Sequence, residues 1–137
     1  MATITYTVTV ATGTNQYSAN VDKYYINGEV SPVLELQEGN TYIFNQDDNS
    51  NTGHPLRFSA TANGTHGTAP GGSAGVEYTT GVTTSGTPGT ATAFTQIVVA
   101  PVQNVGAPVL FYYCSVHSGM GNTCLLYTSP SPRDGLL

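Results

Sequence analysis

Of the His, Cys and Met side chains in this 137-residue sequence, the types that bind a soft transition metal, three crowd into one short stretch. Tyr113-Cys114-Ser115-Val116-His117-Ser118-Gly119-Met120-Gly121 places a thiol, an imidazole and a thioether at Cys-x2-His-x2-Met spacing. A second imidazole, His54, stands far upstream in Gly53-His54-Pro55-Leu56-Arg57-Phe58-Ser59. Two histidines, a cysteine thiolate and a weak axial methionine form the ligand set of a type 1 copper centre, whose chemistry is the passage of single electrons. Taken singly, each residue has a plainer reading. A lone cysteine on a strand is usually a small core hydrophobe, a histidine after glycine a loop residue, and a methionine ordinary packing. Order, spacing and convergence of the strand faces carry the metal reading.

Holding these groups together is a task for β-strands. Thr3 to Val10 alternates, with Ile4, Tyr6, Val8 and Val10 on one face and threonines on the other, which predicts a half-buried strand. Ala11 to Gln16 reads as a turn. Tyr24-Tyr25-Ile26 is a short strand closed by the tight-turn dipeptide Asn27-Gly28. Val33 to Leu36 and Thr41 to Asn45 flank Glu38-Gly39-Asn40 as a strand-turn-strand unit. Asp47 to Thr52 is a polar loop leading to His54. Alternation from there puts Leu56 and Phe58 on the face of His54 and Arg57 on the other, so His54 points inward as a ligand must. Thr61 to Gly75 reads as a long loop, residues 77–84 and 90–99 as strands, and Pro101 to Pro108 as a connection. Val109 to Cys114 is the last clear strand, with Leu110, Tyr112 and Cys114 on one face. About seven short strands without helical periodicity predict an all-β, Greek-key sandwich or barrel.

Composition removes several functions. Charged residues make up 8% of the chain and the net charge is -5, whereas phosphate binding needs clustered Lys and Arg, so nucleic acid is not a partner. No apolar run reaches the length of a membrane span, and Met1-Ala2-Thr3-Ile4-Thr5 lacks the basic and apolar regions of a signal peptide. Localisation stays open on this reading. Asp47 and Asp48 are adjacent and diverge in an extended segment, so they do not form a paired acid and base. No Gly-x-Ser-x-Gly elbow or second copper motif is present, so the chain reads as a non-enzyme. His66, in a Gly/Thr-rich loop, reads as a solvated surface residue without a partner, and Asn63-Gly64-Thr65 as a glycosylation-type tripeptide that is meaningless without export.

The ligand segments resemble those of the cupredoxins, the small blue-copper β-sandwich proteins. Gly53 to Ser59 is similar to the azurin-type segment carrying the first histidine ligand. Cys114 to Met120 resembles the short ligand loop of amicyanin and pseudoazurin, and Glu38 to Asn45 the strand-turn-strand that precedes the first ligand. The resemblance covers roughly residues 3–123 and implies a Greek-key cupredoxin fold. It implies one type 1 copper held by His54, Cys114, His117 and Met120, with Gly53 as a possible backbone carbonyl contact. Electrons would pass through the edge of His117. Two features depart from the family: the long Thr/Gly-rich loop, and the missing strand that would follow Met120 and close the sheet.

The tail breaks with what precedes it. Cys124-Leu125-Leu126-Tyr127-Thr128-Ser129-Pro130-Ser131-Pro132-Arg133-Asp134 resembles a translated tagmentation sequencing adapter. Residues 1–123 are accordingly read as a C-terminally truncated cupredoxin-like domain and 124–137 as an artefact. The final strand is then missing or replaced by the tail, and a missing strand would leave unpaired edge groups.

Three functions compete. The first is a one-electron carrier with a redox partner protein. The second is a cupredoxin-like structural module of a phage virion or surface protein, contacting other virion proteins, with or without copper. It is suggested by the Thr/Gly/Ser-rich composition, the absence of a signal peptide and the adapter-like tail. Copper storage or delivery ranks last, because such proteins offer several exchangeable sulfur ligands and this chain has few.

Overall fold

The computed structural model describes residues 1–66, 75–101 and 109–128. Among them the strands are Thr3–Gly13 (β1), Val21–Ile26 (β2), Glu29–Val30 (β3), Leu34–Gln37 (β4), Thr41–Asn45 (β5) and Leu56–Ser59 (β6). Glu77–Tyr78 (β7), Val82–Ser85 (β8), Phe94–Val98 (β9), Val109–Cys114 (β10) and Asn122–Tyr127 (β11) follow, and the one helical element is a 3-10 turn at Asn49–Asn51. One sheet has the order β3-β2-β1-β5-β9-β8 and the other β4-β11-β10-β6-β7. Both are mixed: β1 runs parallel to β5, and β4 parallel to β11.

The alternation read in the sequence becomes the inner faces of the two sheets. Val8, Tyr24, Ile26, Tyr42, Phe44 and Ile97 from the first sheet meet Leu36, Leu56, Phe58, Leu110, Tyr112 and Leu126 from the second in one buried core. The ring of Phe44 meets that of Phe58 edge-on across the gap, with centroids 5.4 Å apart. Apolar faces buried against each other in this way make a two-sheet β architecture. No sheet closes into a barrel among the described residues.

Several expected boundaries move. β1 continues through Gly13 where a turn was expected, because its ladder with β2 runs on through Ala11↔Lys23, Thr12↔Asp22 and Gly13↔Val21 after the apolar alternation has ended. β4 and β5 do not pair as a strand-turn-strand unit: the turn after β4 carries the chain from one sheet to the other. The single strand expected over 77–84 is two, β7 on β6 and β8 on β9, in opposite sheets. For the last two, local pattern was right about extended backbone and silent about its partner; at Ala11 to Gly13 it missed the extended backbone itself. Residues 67–74 of the long loop and 102–108 of the later connection lie outside the described residues.

β11 fills the position that the sequence reading left missing or replaced. It pairs antiparallel with β10 (Leu110↔Cys124) and parallel with β4 (Cys124↔Leu34), so both edges are satisfied. Cys124 and Leu126 face the core while Tyr127 is exposed. A period-2 apolar pattern suffices to occupy such a slot.

Candidate metal centre

The register of β6 against β10 decides which side chains meet. Antiparallel pairing sets Cys114 opposite Leu56, and the ladder carries on past the strand ends where Ser115 N donates to Pro55 O at 3.0 Å. His54 therefore stands beside the end of β10, on the side where Cys114 faces inward. The loop after Cys114 folds back to bring His117 to the same point. Cys114 Sγ lies 3.7 Å from His54 Nδ1 and 3.6 Å from His117 Nδ1. The three ligand atoms all lie within 4.8 Å of one another. The imidazole rings approach at 4.6 Å between centroids, tilted by 47°.

These separations suit a bound ion. A metal about 2.3 Å from a thiolate sulfur and about 2.0 Å from an imidazole nitrogen holds the two donors roughly 3.5–3.7 Å apart at tetrahedral to trigonal angles. Met120, 1% exposed, belongs to the same buried cluster as Cys114 and supplies a thioether at the base of the loop. The site is graded in exposure. Cys114 is fully buried and His54 is 8% exposed, while His117 lies open at the surface beside exposed Ser115, Val116 and Ser118.

His54 is fixed through its backbone. Its carbonyl accepts from Tyr24 Oη at 2.7 Å and from Gln46 Nε2 at 2.7 Å, and its amide donates to Asn51 O at 2.8 Å. Gln46 also donates to Asn51 Oδ1 and accepts from Leu56 N, while Asn51 reaches Val8 O, so the network is closed and anchored in β1. Gly53 precedes His54 with φ +80 and open space where a side chain would stand, so glycine is required there by backbone conformation rather than by crowding. Asp22 Oδ2 lies 3.7 Å from His54 Nε2, on the far side of the ring. A carboxylate there favours the tautomer protonated at Nε2 and leaves the Nδ1 lone pair facing Cys114. Burial, and then the neighbouring His117, push the His54 pKa below its ordinary value, with Asp22 opposing.

The ligand loop is tied by side chains. Asn63 Oδ1 accepts from Gly119 N at 2.7 Å, and its Nδ2 donates to Ser118 Oγ. The Gly119 carbonyl accepts from Lys23 Nζ at 2.7 Å and Asn15 Nδ2 at 2.9 Å. The Met120 carbonyl accepts from Ser31 Oγ and Tyr24 N. A Cβ on Gly121 would collide with the Tyr112 carbonyl, so only glycine lets the loop rejoin the sheet here. None of Asn63, Lys23, Asn15, Gln46 and Asp22 was singled out from sequence as part of the site. Their roles arise from contacts distant along the chain. The one available signal was Lys23, the chain's sole lysine, which stands with Asp22 just before the aromatic and apolar run Tyr24-Tyr25-Ile26.

Two readings change. His66 is half-buried rather than solvated, and has a partner: its Nε2 lies 2.7 Å from Cys114 O, with the ring edge-on to Tyr113. It touches the backbone of the candidate ligand but is not among the converging donors. Asn63 is 3% exposed with both amide atoms engaged, which withdraws it from glycosylation in the folded chain. Cys124, like Cys114, is buried and free. Burial pushes its thiol far above the ordinary range, as expected of an inert core cysteine.

No protein-family model, curated protein or solved structure matches this chain. Among the described residues no helix is long and apolar enough to cross a membrane.

Proposed function

We propose that this chain is a cupredoxin-type protein that binds one type 1 copper through His54, Cys114, His117 and Met120 and carries single electrons to and from a partner protein. The observation that carries this reading is the convergence of two imidazole Nδ1 atoms on one buried cysteine sulfur, at 3.7 and 3.6 Å. Thioether and thiolate together favour copper over zinc, and His2Cys with a weak axial methionine is the blue-copper arrangement. The Greek-key cupredoxin topology belongs to the same proposal, supported by the two packed mixed sheets and by the ligand loop leaving the end of β10.

Copper bound here supplies the Cu(II)/Cu(I) couple, and the protein supplies constancy of position. Cys114 gives up its proton on coordination, and its burial keeps bulk water from the sulfur. His54 and His117 serve as neutral donors. The backbone anchors of His54 and the side-chain ties on the loop keep the donor set in one arrangement, so little has to move when the charge changes. His117, the exposed member, offers its ring edge to a docking partner. Storage or delivery is less well supported, because the one candidate sulfur ligand of strand β10 is fully buried rather than exchangeable.

Copper loading of the whole chain is expected to give an intense visible thiolate-to-copper band and narrow EPR hyperfine splitting, both abolished in Cys114→Ser. A colourless copper complex, or one whose colour survives that substitution, rejects the proposal.

A further inference from the structure

Consecutive residues at the start of β2 reach both ligand segments from the opposite sheet. Asp22 faces the Nε2 edge of His54 at 3.7 Å. Lys23 turns the other way, and its Nζ donates to Gly119 O at 2.7 Å, within the loop between His117 and Met120, and to Ser18 Oγ at 2.6 Å in the segment between β1 and β2. An acid and a base thus flank the candidate centre, one beside each histidine-bearing segment. Their surroundings differ. The Asp22 side chain is 57% exposed, whereas Lys23 is 0% exposed. No carboxylate forms a salt bridge with Lys23 among the described residues.

We propose that Asp22 and Lys23 set the redox poise of the centre from opposite sides, and that the buried ammonium of Lys23 prevails, biasing the site toward the reduced state. The inference rests on the copper reading. Cu(II) with one thiolate carries a net single positive charge, and taking one electron from a donor protein leaves it neutral. A fixed cation nearby disfavours the first state and leaves the second nearly unaffected, and a carboxylate does the reverse. The exposed carboxylate acts through water and counterions, which screen it. The ammonium is surrounded by protein and is screened far less. Burying an ammonium without a counter-charge is costly, and carbonyl and hydroxyl oxygens offset only part of that cost. Lys23 is a positioning and tuning residue: it touches the loop, not the metal.

The test is spectroelectrochemical titration of the copper-loaded full chain at low and high salt, alongside visible and EPR spectra and melting of the metal-free form. Lys23→Met is expected to shift the Cu(I)/Cu(II) affinity ratio about tenfold toward Cu(II), lowering the midpoint by ~59 mV for one electron. The shift persists at high salt and the spectra stay unchanged. Lys23→Arg returns the midpoint toward that of the parent chain. Asp22→Asn raises the midpoint by a smaller amount, and that shift shrinks as salt is added. If Lys23→Met does not fold, Lys23→Gln keeps a donor for Gly119 O while removing the charge, and the same lowered midpoint is expected. An unchanged midpoint in a folded charge-removing variant overturns the inference. So does an Arg variant that shifts as far as the Met variant, or an Asp22→Asn shift larger than that of Lys23. A parent chain without the thiolate band overturns the copper reading itself, and this inference with it.

Discussion

His54 hangs from a backbone carbonyl gripped by two buried donors, Tyr24 and Gln46, whereas the loop from Ser115 to Gly121 is held by side chains of Asn15, Lys23, Ser31 and Asn63. The first anchorage belongs to the core. Gln46 and Asn51 are 1% and 0% exposed, and their bonds link β1 to the segment that enters β6. The second lies at the rim in the sense of the loop end of the sandwich, since Lys23, Ser31 and Asn63 are buried too, and its ties come from the segment after β1, from β2 and the turn beyond β3, and from the long loop. One ligand segment is therefore fixed by what folds the sandwich, and the other by contacts that the sandwich can spare. The contrast predicts which damage falls mainly on the fold and which mainly on the candidate metal site.

Gln46→Leu strikes the core side. It leaves Leu56 N and Asn51 Oδ1 without partners and takes one of two donors from the His54 carbonyl. Each buried orphan costs about 1–3 kcal/mol, so a loss of about 3–4 kcal/mol is expected in urea unfolding of the metal-free chain. A loss below about 1 kcal/mol would show that this network is not what fixes His54. Asn63→Gly strikes the rim. Asn63 has φ +60, so glycine keeps the backbone conformation while deleting the amide that holds Gly119 N and Ser118 Oγ. About 1–2 kcal/mol of stability is expected to go, accompanied by a broadened visible band and weaker copper retention against a chelator. If copper retention fell further in Gln46→Leu than in Asn63→Gly at equal folded fraction, the division between core and rim would be wrong.

That division also explains what the sequence could show. The inward direction of His54 followed from alternation with Leu56 and Phe58, and the face of Cys114 from Leu110 and Tyr112, because period 2 is a property of the strand itself. The spacing of Cys114, His117 and Met120 was visible for the same reason: it is local. Sheet membership was not. β4 and β5 are neighbours in sequence and lie in different sheets, and β7 and β8 likewise. The braces were least legible of all. Asn63 and Gly119 are 56 residues apart, as the pairing in space shows, and nothing in a polar Asn-Gly-Thr tripeptide says that its amide will be buried. His66 was misread for this reason: its partner is a backbone carbonyl, and carbonyls leave no mark in the sequence.

The smallest expected effect is on pH dependence, and it tests the surroundings of His54. His54 has a folded-state pKa depressed by burial and by His117, while unfolded histidine titrates near about 6.5. The unfolded chain therefore binds the extra proton first as pH falls. The stability that neutral His54 contributes is fully present above about 6.5 and is lost as pH drops from there toward the lower folded value. In the metal-free chain the urea midpoint is expected to fall between about pH 7.5 and about pH 5, and His54→Asn is expected to flatten that part of the profile. Asp22 opposes the depression, so Asp22→Asn lowers the folded pKa further and deepens the loss. His117→Asn relieves His54 of a neighbouring charge and makes the loss shallower. Should Asp22→Asn protect the chain against acid instead, the carboxylate at Nε2 would not be acting on His54, and the tautomer argument that points Nδ1 at Cys114 would lose its support.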